Sequence, residues 1–157
     1  IGGEFFFGGL QFLSLEEASE KYHKTLLLAK EKAVMSGRNA LDTWWNKHWF
    51  PIFCEEKGDF FIIASEEQKK HTPVFFYDYK DWDDIRPKYK YTNFTCMVQT
   101  IAECYEAGAY KLIEGEYGKY LEEDYERVES IRLKYNSNAF GTYYDLVPEE
   151  TFYLPGF

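Results

Sequence analysis

The sequence predicts an α+β fold, a mainly antiparallel β-sheet flanked by helices. Three short apolar segments, residues 50–54, 60–64 and 74–77, follow one another with turn-forming residues between them. Segments of helical periodicity stand before and after them. The 14 Phe, 14 Tyr and 4 Trp among 157 residues supply enough area for one ordinary core without staples.

Residues 4–12 read as an extended segment broken by Gly8-Gly9. Ser14-Leu15-Glu16-Glu17 has capping-box spacing, the hydroxyl accepting the third amide while Glu17 reaches back. Leu15, Ala18, Tyr22, Leu26, Ala29 and Ala33 then recur at steps of three and four, which predicts one buried helical face. That helix is expected to run to about Met35 and stop near Gly37, with Lys21, Lys24, Lys30 and Lys32 outside. After an aromatic patch at 41–49, the three strands form a meander, with turns at 55–59 and 65–72. Phe60-Phe61-Ile62-Ile63 has no polar alternation, so that strand is expected to be covered on both faces.

Residues 79–90 read as a charged loop containing Pro87. Thr92 or Asn93 can cap a second helix whose buried stripe is Phe94, Met97, Val98, Ile101 and Tyr105, ended by Gly108. A third helix is expected over 118–135, with Leu121, Tyr125, Val128, Ile131 and Tyr135 on one face and Asn136 as its stop. The remainder, 136–157, is an aromatic, Pro-containing tail expected to pack on the domain. No repeat, linker or composition shift divides the chain, so 1–157 reads as one domain. The amino end lacks Met, a basic lead and a long apolar run, so the chain is read as a piece without its N-terminal element.

Charge narrows the function classes. With 27 Asp plus Glu against 18 Lys plus Arg, the formal charge is −9. Such a surface does not favour nucleic-acid phosphates or an anionic membrane; it suits a basic protein partner. No run of 18 apolar residues is present to span a bilayer. Cys54, Cys96 and Cys104 are an odd set, and the last two lie eight residues apart on a predicted helix, about 12 Å along its axis. They read as small apolar fillers rather than a disulfide framework, and a reducing, cytoplasmic setting is expected.

The sequence contains no phosphate-loop, nucleophile-elbow, H-E-x-x-H or C-x-x-C motif. His23, His48 and His71 fall in unrelated segments, and Glu20-x-x-His23 is a single copy of a spacing that di-iron bundles need twice. Acidic residues are too common for any glycosidase-type pair to stand out. No catalytic residue, metal ligand or cofactor is therefore assigned. Trp44, Trp45, Trp49 and Trp82 offer a sugar-stacking platform, although plugging the core edge is the commoner use of such residues. The acidic runs carry more. Residues 114–129 hold seven acids against Lys119 and Arg127, and 78–84 hold four against Lys80. Helix exteriors are often charged for solubility alone. Interspersed Tyr and Trp make these runs a landing surface for a basic protein. The candidate interface is Asp78, Asp81, Trp82, Asp83, Asp84, Glu116, Tyr117, Tyr120, Glu122 and Glu123, with Tyr79 beside it.

Trp49-Phe50-Pro51-Ile52-Phe53, Gly58-Asp59-Phe60-Phe61-Ile62-Ile63 and Pro73-Val74-Phe75-Phe76-Tyr77-Asp78 together resemble the core of the SUKH superfamily, relatives of the yeast cell-wall-assembly regulator domain. Residues 12–18 resemble the helix that leads into that core, and 94–105 the helix after it, so the likeness covers about 10–110. Ala64-Ser65-Glu66 stands where many members carry an Asp-containing segment, and their N-terminal Leu-Pro and Asn-Gly signatures are missing. The resemblance implies an immunity protein, without enzymatic activity or cofactor, that binds and neutralises a secreted toxin such as a nuclease. Two other expectations are a protein-binding regulatory scaffold of the cell-wall type and a carbohydrate-binding domain using the Trp patch.

Overall fold

Ser14 starts the first helix as its spacing predicts. Its hydroxyl accepts the Glu17 N–H at 3.2 Å, and the Glu17 carboxylate accepts the Ser14 N–H at 2.8 Å. The computed structural model describes residues 5–7, 10–36, 45, 47–55, 60–64, 72–78, 87–116, 118–142 and 145. In chain order these form β1 (Phe5–Phe7), β2 (Leu10–Phe12), α1 (Leu15–Ser36), β3 (Trp49–Cys54), β4 (Phe60–Ala64), β5 (Val74–Tyr77), β6 (Lys88–Tyr91), α2 (Phe94–Glu106), β7 (Tyr110–Gly115), β8 (Gly118–Glu123) and α3 (Tyr125–Tyr135). The fold is α+β. Strands β1 to β6 make one antiparallel sheet in sequence order, and β7 and β8 make a separate hairpin.

The sheet has a core on each side. On one side Ala18 and Ala29 of α1 meet Trp45, Trp49, Phe75 and Tyr77. On the other, Met97, Ile101 and Cys104 of α2 and Ile131 of α3 meet Phe53, Val74 and Tyr91. Successive side chains of a strand point to opposite faces. In β5, Val74 and Phe76 therefore join the second core while Phe75 and Tyr77 join the first. This two-sided cover explains an apolar run without alternation. The side chains of β4, where the same cover is expected, lie outside the described residues.

Three register shifts adjust the ladder, one between Phe5 and Phe7 in β1 and two beside the cores. Val74 pairs with Tyr91 but Phe75 pairs with Tyr89, so Lys90 is an extra residue in β6. The bulge sends Tyr89 to the first core and Tyr91 to the second, although they stand two positions apart. A second shift, between Pro51 and Phe53, makes Ile52 the extra residue of β3. Its carbonyl accepts the Leu13 N–H at 3.1 Å. Proline lacks a ladder donor, and a bulge is where an interior strand tolerates one.

Several sequence expectations are corrected. Residues 88–90, the end of the predicted loop, form with Tyr91 the edge strand β6. The helix predicted over 118–135 is strand β8 followed by α3, so Leu121 is a strand residue and Tyr125 is exposed. Leu15 is 77% exposed, because it sits in the first turn ahead of the buried stripe. In α2 the buried stripe is Met97, Thr100, Ile101 and Cys104, while Phe94, Val98 and Tyr105 are exposed. Thr100 is accommodated in the stripe because its hydroxyl accepts the amide of Asn136, the cap of α3, at 3.0 Å. The stop at Gly37, the turns at 56–59 and 65–71, and the tail from 146 onward lie outside the described residues.

Candidate acidic docking site

The acidic segment is held where α2, the hairpin and α3 meet. Asn93 caps α2, its side-chain oxygen accepting the Cys96 N–H at 2.9 Å. At the other end Ala109 N–H donates to the Cys104 carbonyl at 2.8 Å and Gly108 N–H to the Tyr105 carbonyl at 3.1 Å. This double bond pattern is a Schellman ending, which needs a left-handed residue; Gly108 supplies it at φ 69°. The chain thereby turns directly into β7. After β8, Asp124 caps α3 by accepting the Arg127 N–H at 3.1 Å, and its own N–H returns to the Ala109 carbonyl at 2.9 Å. Arg127 donates to the Ala107 carbonyl at 2.9 Å. The two helix ends and both strand bases are thus tied together.

Hairpin register is one to one from Tyr110 opposite Glu123 to Gly115 opposite Gly118. Cross-strand partners share a face. Tyr110, Leu112, Leu121 and Glu123 lie on one face; Tyr110 is buried and Leu121 packs against the second core. Lys111, Ile113, Tyr120 and Glu122 lie on the other, which is open: Tyr120 is 54% exposed above half-buried Ile113. Leu112 is also 64% exposed. At the base, Gly108, Ala109, Lys111, Glu122, Glu123 and Asp124 line a cleft of about 180 Å³. Three carboxylates against one ammonium leave that lining negative.

Burial sets the electrostatics behind the cleft. It pushes the Tyr110 and Tyr91 hydroxyls well above the ordinary phenol value, and the nearby Glu123 carboxylate adds to the shift. Burial also pushes the Cys104 thiol up to about 11, so it is a neutral filler at pH 7. Farther along α3, Arg132 is buried and held by Glu129 at 2.6 and 2.8 Å. It also donates to the carbonyls of Lys90, the bulge residue, at 2.9 Å and of Ala139 at 3.3 Å. Asn136 is fully buried; its oxygen accepts the Thr92 N–H at 2.9 Å. This polar joint fixes α3, and so the hairpin base, to α2 and β6.

The structure gathers Glu116, Tyr120, Glu122 and Glu123 on one hairpin. Asp78 stands half-buried at the exit of β5, in the other sheet. Tyr79, Asp81, Trp82, Asp83, Asp84 and Tyr117 lie outside the described residues. Lys111, Leu112 and Ile113 were not singled out by the charge pattern, although the alternation around Ile113 and the glycines at 115 and 118 are hairpin signals. Trp45 and Trp49 are buried in the first core, edge to face at 5.8 Å, which leaves neither as a sugar platform. Trp44 and Trp82 are not among the described residues. Among the described residues no three metal-ligating side chains converge, and no helix is long and apolar enough to cross a membrane. No protein-family model, curated protein or solved structure matches this chain.

Proposed function

We propose that the protein is a binding protein that sequesters a basic protein partner, and that this partner is a toxin of the nucleic-acid-degrading kind. The exposed carboxylates gathered at the junction of β7, β8 and α3 carry the reading. Glu122, Glu123 and Asp124 border a cleft there, and Glu116 and Glu126 extend the same charge. A net charge of −9 adds a long-range field that speeds encounter with a basic surface at low salt. A nuclease must attract phosphates, so its active face is positive and accepts carboxylates in their place. The resemblance of the three strand segments to SUKH immunity proteins selects this class of partner. The test is protection: the genes adjoining this one are searched for a nuclease-toxin domain, the purified chain is added to that domain, and nucleic-acid cleavage is followed. Equimolar protein is expected to stop cleavage, with weaker protection as salt rises; undiminished cleavage at saturating protein would overturn the proposal.

A further inference from the structure

The β7–β8 hairpin is a two-stranded sheet, an element of marginal stability by itself, and the described contacts secure its base. Beyond the base, the Ile113–Tyr120 face meets solvent. A tyrosine half exposed over an isoleucine, bordered by carboxylates, has the composition of an interface anchor. Charge decides what covers it. A second copy would bring one negatively lined cleft toward another, and each chain carries a net charge of −9, so self-association is opposed. A basic segment would be attracted.

We propose that the Lys111–Ile113–Tyr120–Glu122 face of the hairpin docks an extended basic segment of the partner protein, an apolar side chain resting on Tyr120 and an Arg or Lys two residues away, on the same face of the segment, entering the cleft beside Glu122. This deepens, and rests on, the sequestration reading above. The cleft stands next to the face because Lys111 and Glu122 belong to both. An apolar and a basic residue two positions apart, on one face of the extended segment, match a tyrosine surface with a carboxylate-lined recess at its foot. The Glu114–Lys119 pair, 3.3 Å apart at the far end, is exposed and leaves the anchor itself uncovered.

The experiment titrates the full isotope-labelled chain with a short synthetic peptide of Val-Ser-Arg-Ser repeats, which puts Val and Arg on one face, observed by amide NMR shifts. Shifts are expected at Lys111, Ile113, Tyr120 and Glu122. Affinity is expected to fall about tenfold or more in Tyr120→Ala and in Glu122→Lys. Both side chains are exposed, and an unchanged melting temperature verifies that each variant folds. The same peptide with Ser in place of each Val is expected to bind at least about tenfold more weakly, because it lacks the apolar group for Tyr120. Shifts centred on another element, or equal binding of the peptide lacking Val, overturn the proposal. Peptide binding at this face without protection against the toxin overturns the sequestration reading and leaves the docking face standing. Full protection retained by both variants overturns the docking face alone.

Discussion

Asn136→Ala removes a fully buried amide from the joint between α2, α3 and β6. Its three side-chain partners are unequal. Thr100 loses a donor at 3.0 Å but still donates to the Cys96 carbonyl at 2.8 Å. The Arg132 carbonyl loses a second donor at 3.0 Å but keeps the Asn136 backbone N–H at 2.9 Å. Thr92 N–H loses its 2.9 Å side-chain acceptor. One orphaned amide and the small void left behind cost about 2–4 kcal/mol. For a chain of this length that is roughly 5–15 °C in Tm. Urea unfolding followed by far-UV circular dichroism and by the fluorescence of buried Trp45 and Trp49 measures it, with an unchanged m-value as the sign of an intact native state. Asn136→Asp supplies a second reading. It keeps the acceptor for Thr92 but places a carboxylate against the Arg132 carbonyl, so it is destabilised at pH 7 and recovers as acid protonates it. The exposed neighbour Ser137→Ala is the control, expected within about 0.5 kcal/mol of wild type. If Asn136→Ala costs no more than that control, the joint does not hold the helices and the reasoning is refuted.

Other predictions concern the same framework. Gly108→Ala forces a left-handed residue with a side chain into the α2 ending; it is expected to lower stability by about 1 kcal/mol in urea unfolding, although its Cβ would meet no atom within 4 Å. The hydrogen bonds from Arg132 hold the Glu129 carboxyl below its ordinary value of 4.5. A carboxylate whose folded-state pKa is depressed stabilises the fold above its unfolded value, and that share is lost as pH falls through the folded value. Melting temperature is therefore expected to drop below about pH 4.5, and Glu129→Gln is expected to flatten that drop while lowering stability at pH 7. Cys104 and Cys54 are buried and Cys96 is half-exposed, so a thiol reagent at pH 8 is expected to label Cys96 in the native protein and all three in urea. Native labelling of Cys104 at the Cys96 rate would contradict the packing of α2.

How much of this was legible depends on how local each signal is. The capping box at Ser14, the Asn93 cap, the Gly108 ending and the Asn136 stop are set by neighbours within a few residues, and each stands where its chemistry places it. The meander of β3, β4 and β5 was equally plain from apolar segments with turn residues between them. The hairpin was not. Leu121, Tyr125 and Val128 are spaced like a helical stripe, and Glu-rich segments favour helix, yet Leu121 pairs with Leu112 across the strands. Tertiary pairing overrode a local preference there, while Gly115 and Gly118 were the unused clue. Strand β6 was hidden for a related reason. Lys88, Tyr89, Lys90 and Tyr91 show polar alternation, but the bulge at Lys90 turns the tyrosines to opposite cores, which no periodicity expresses. Charge runs identified the acidic surface by composition. They did not reveal that Lys111 and Ile113 share a face with Tyr120 and Glu122, because that follows from register.

The central claim is that the hairpin, and not another face, meets a basic protein. Amide hydrogen exchange of the full chain, alone and with the basic nuclease domain against which it protects, addresses this most directly. Slowed exchange is expected across residues 110–124, with the exposed side of α1 unchanged. Protection confined to α1 or to the β6 edge, with the hairpin exchanging as in the free protein, would contradict the account.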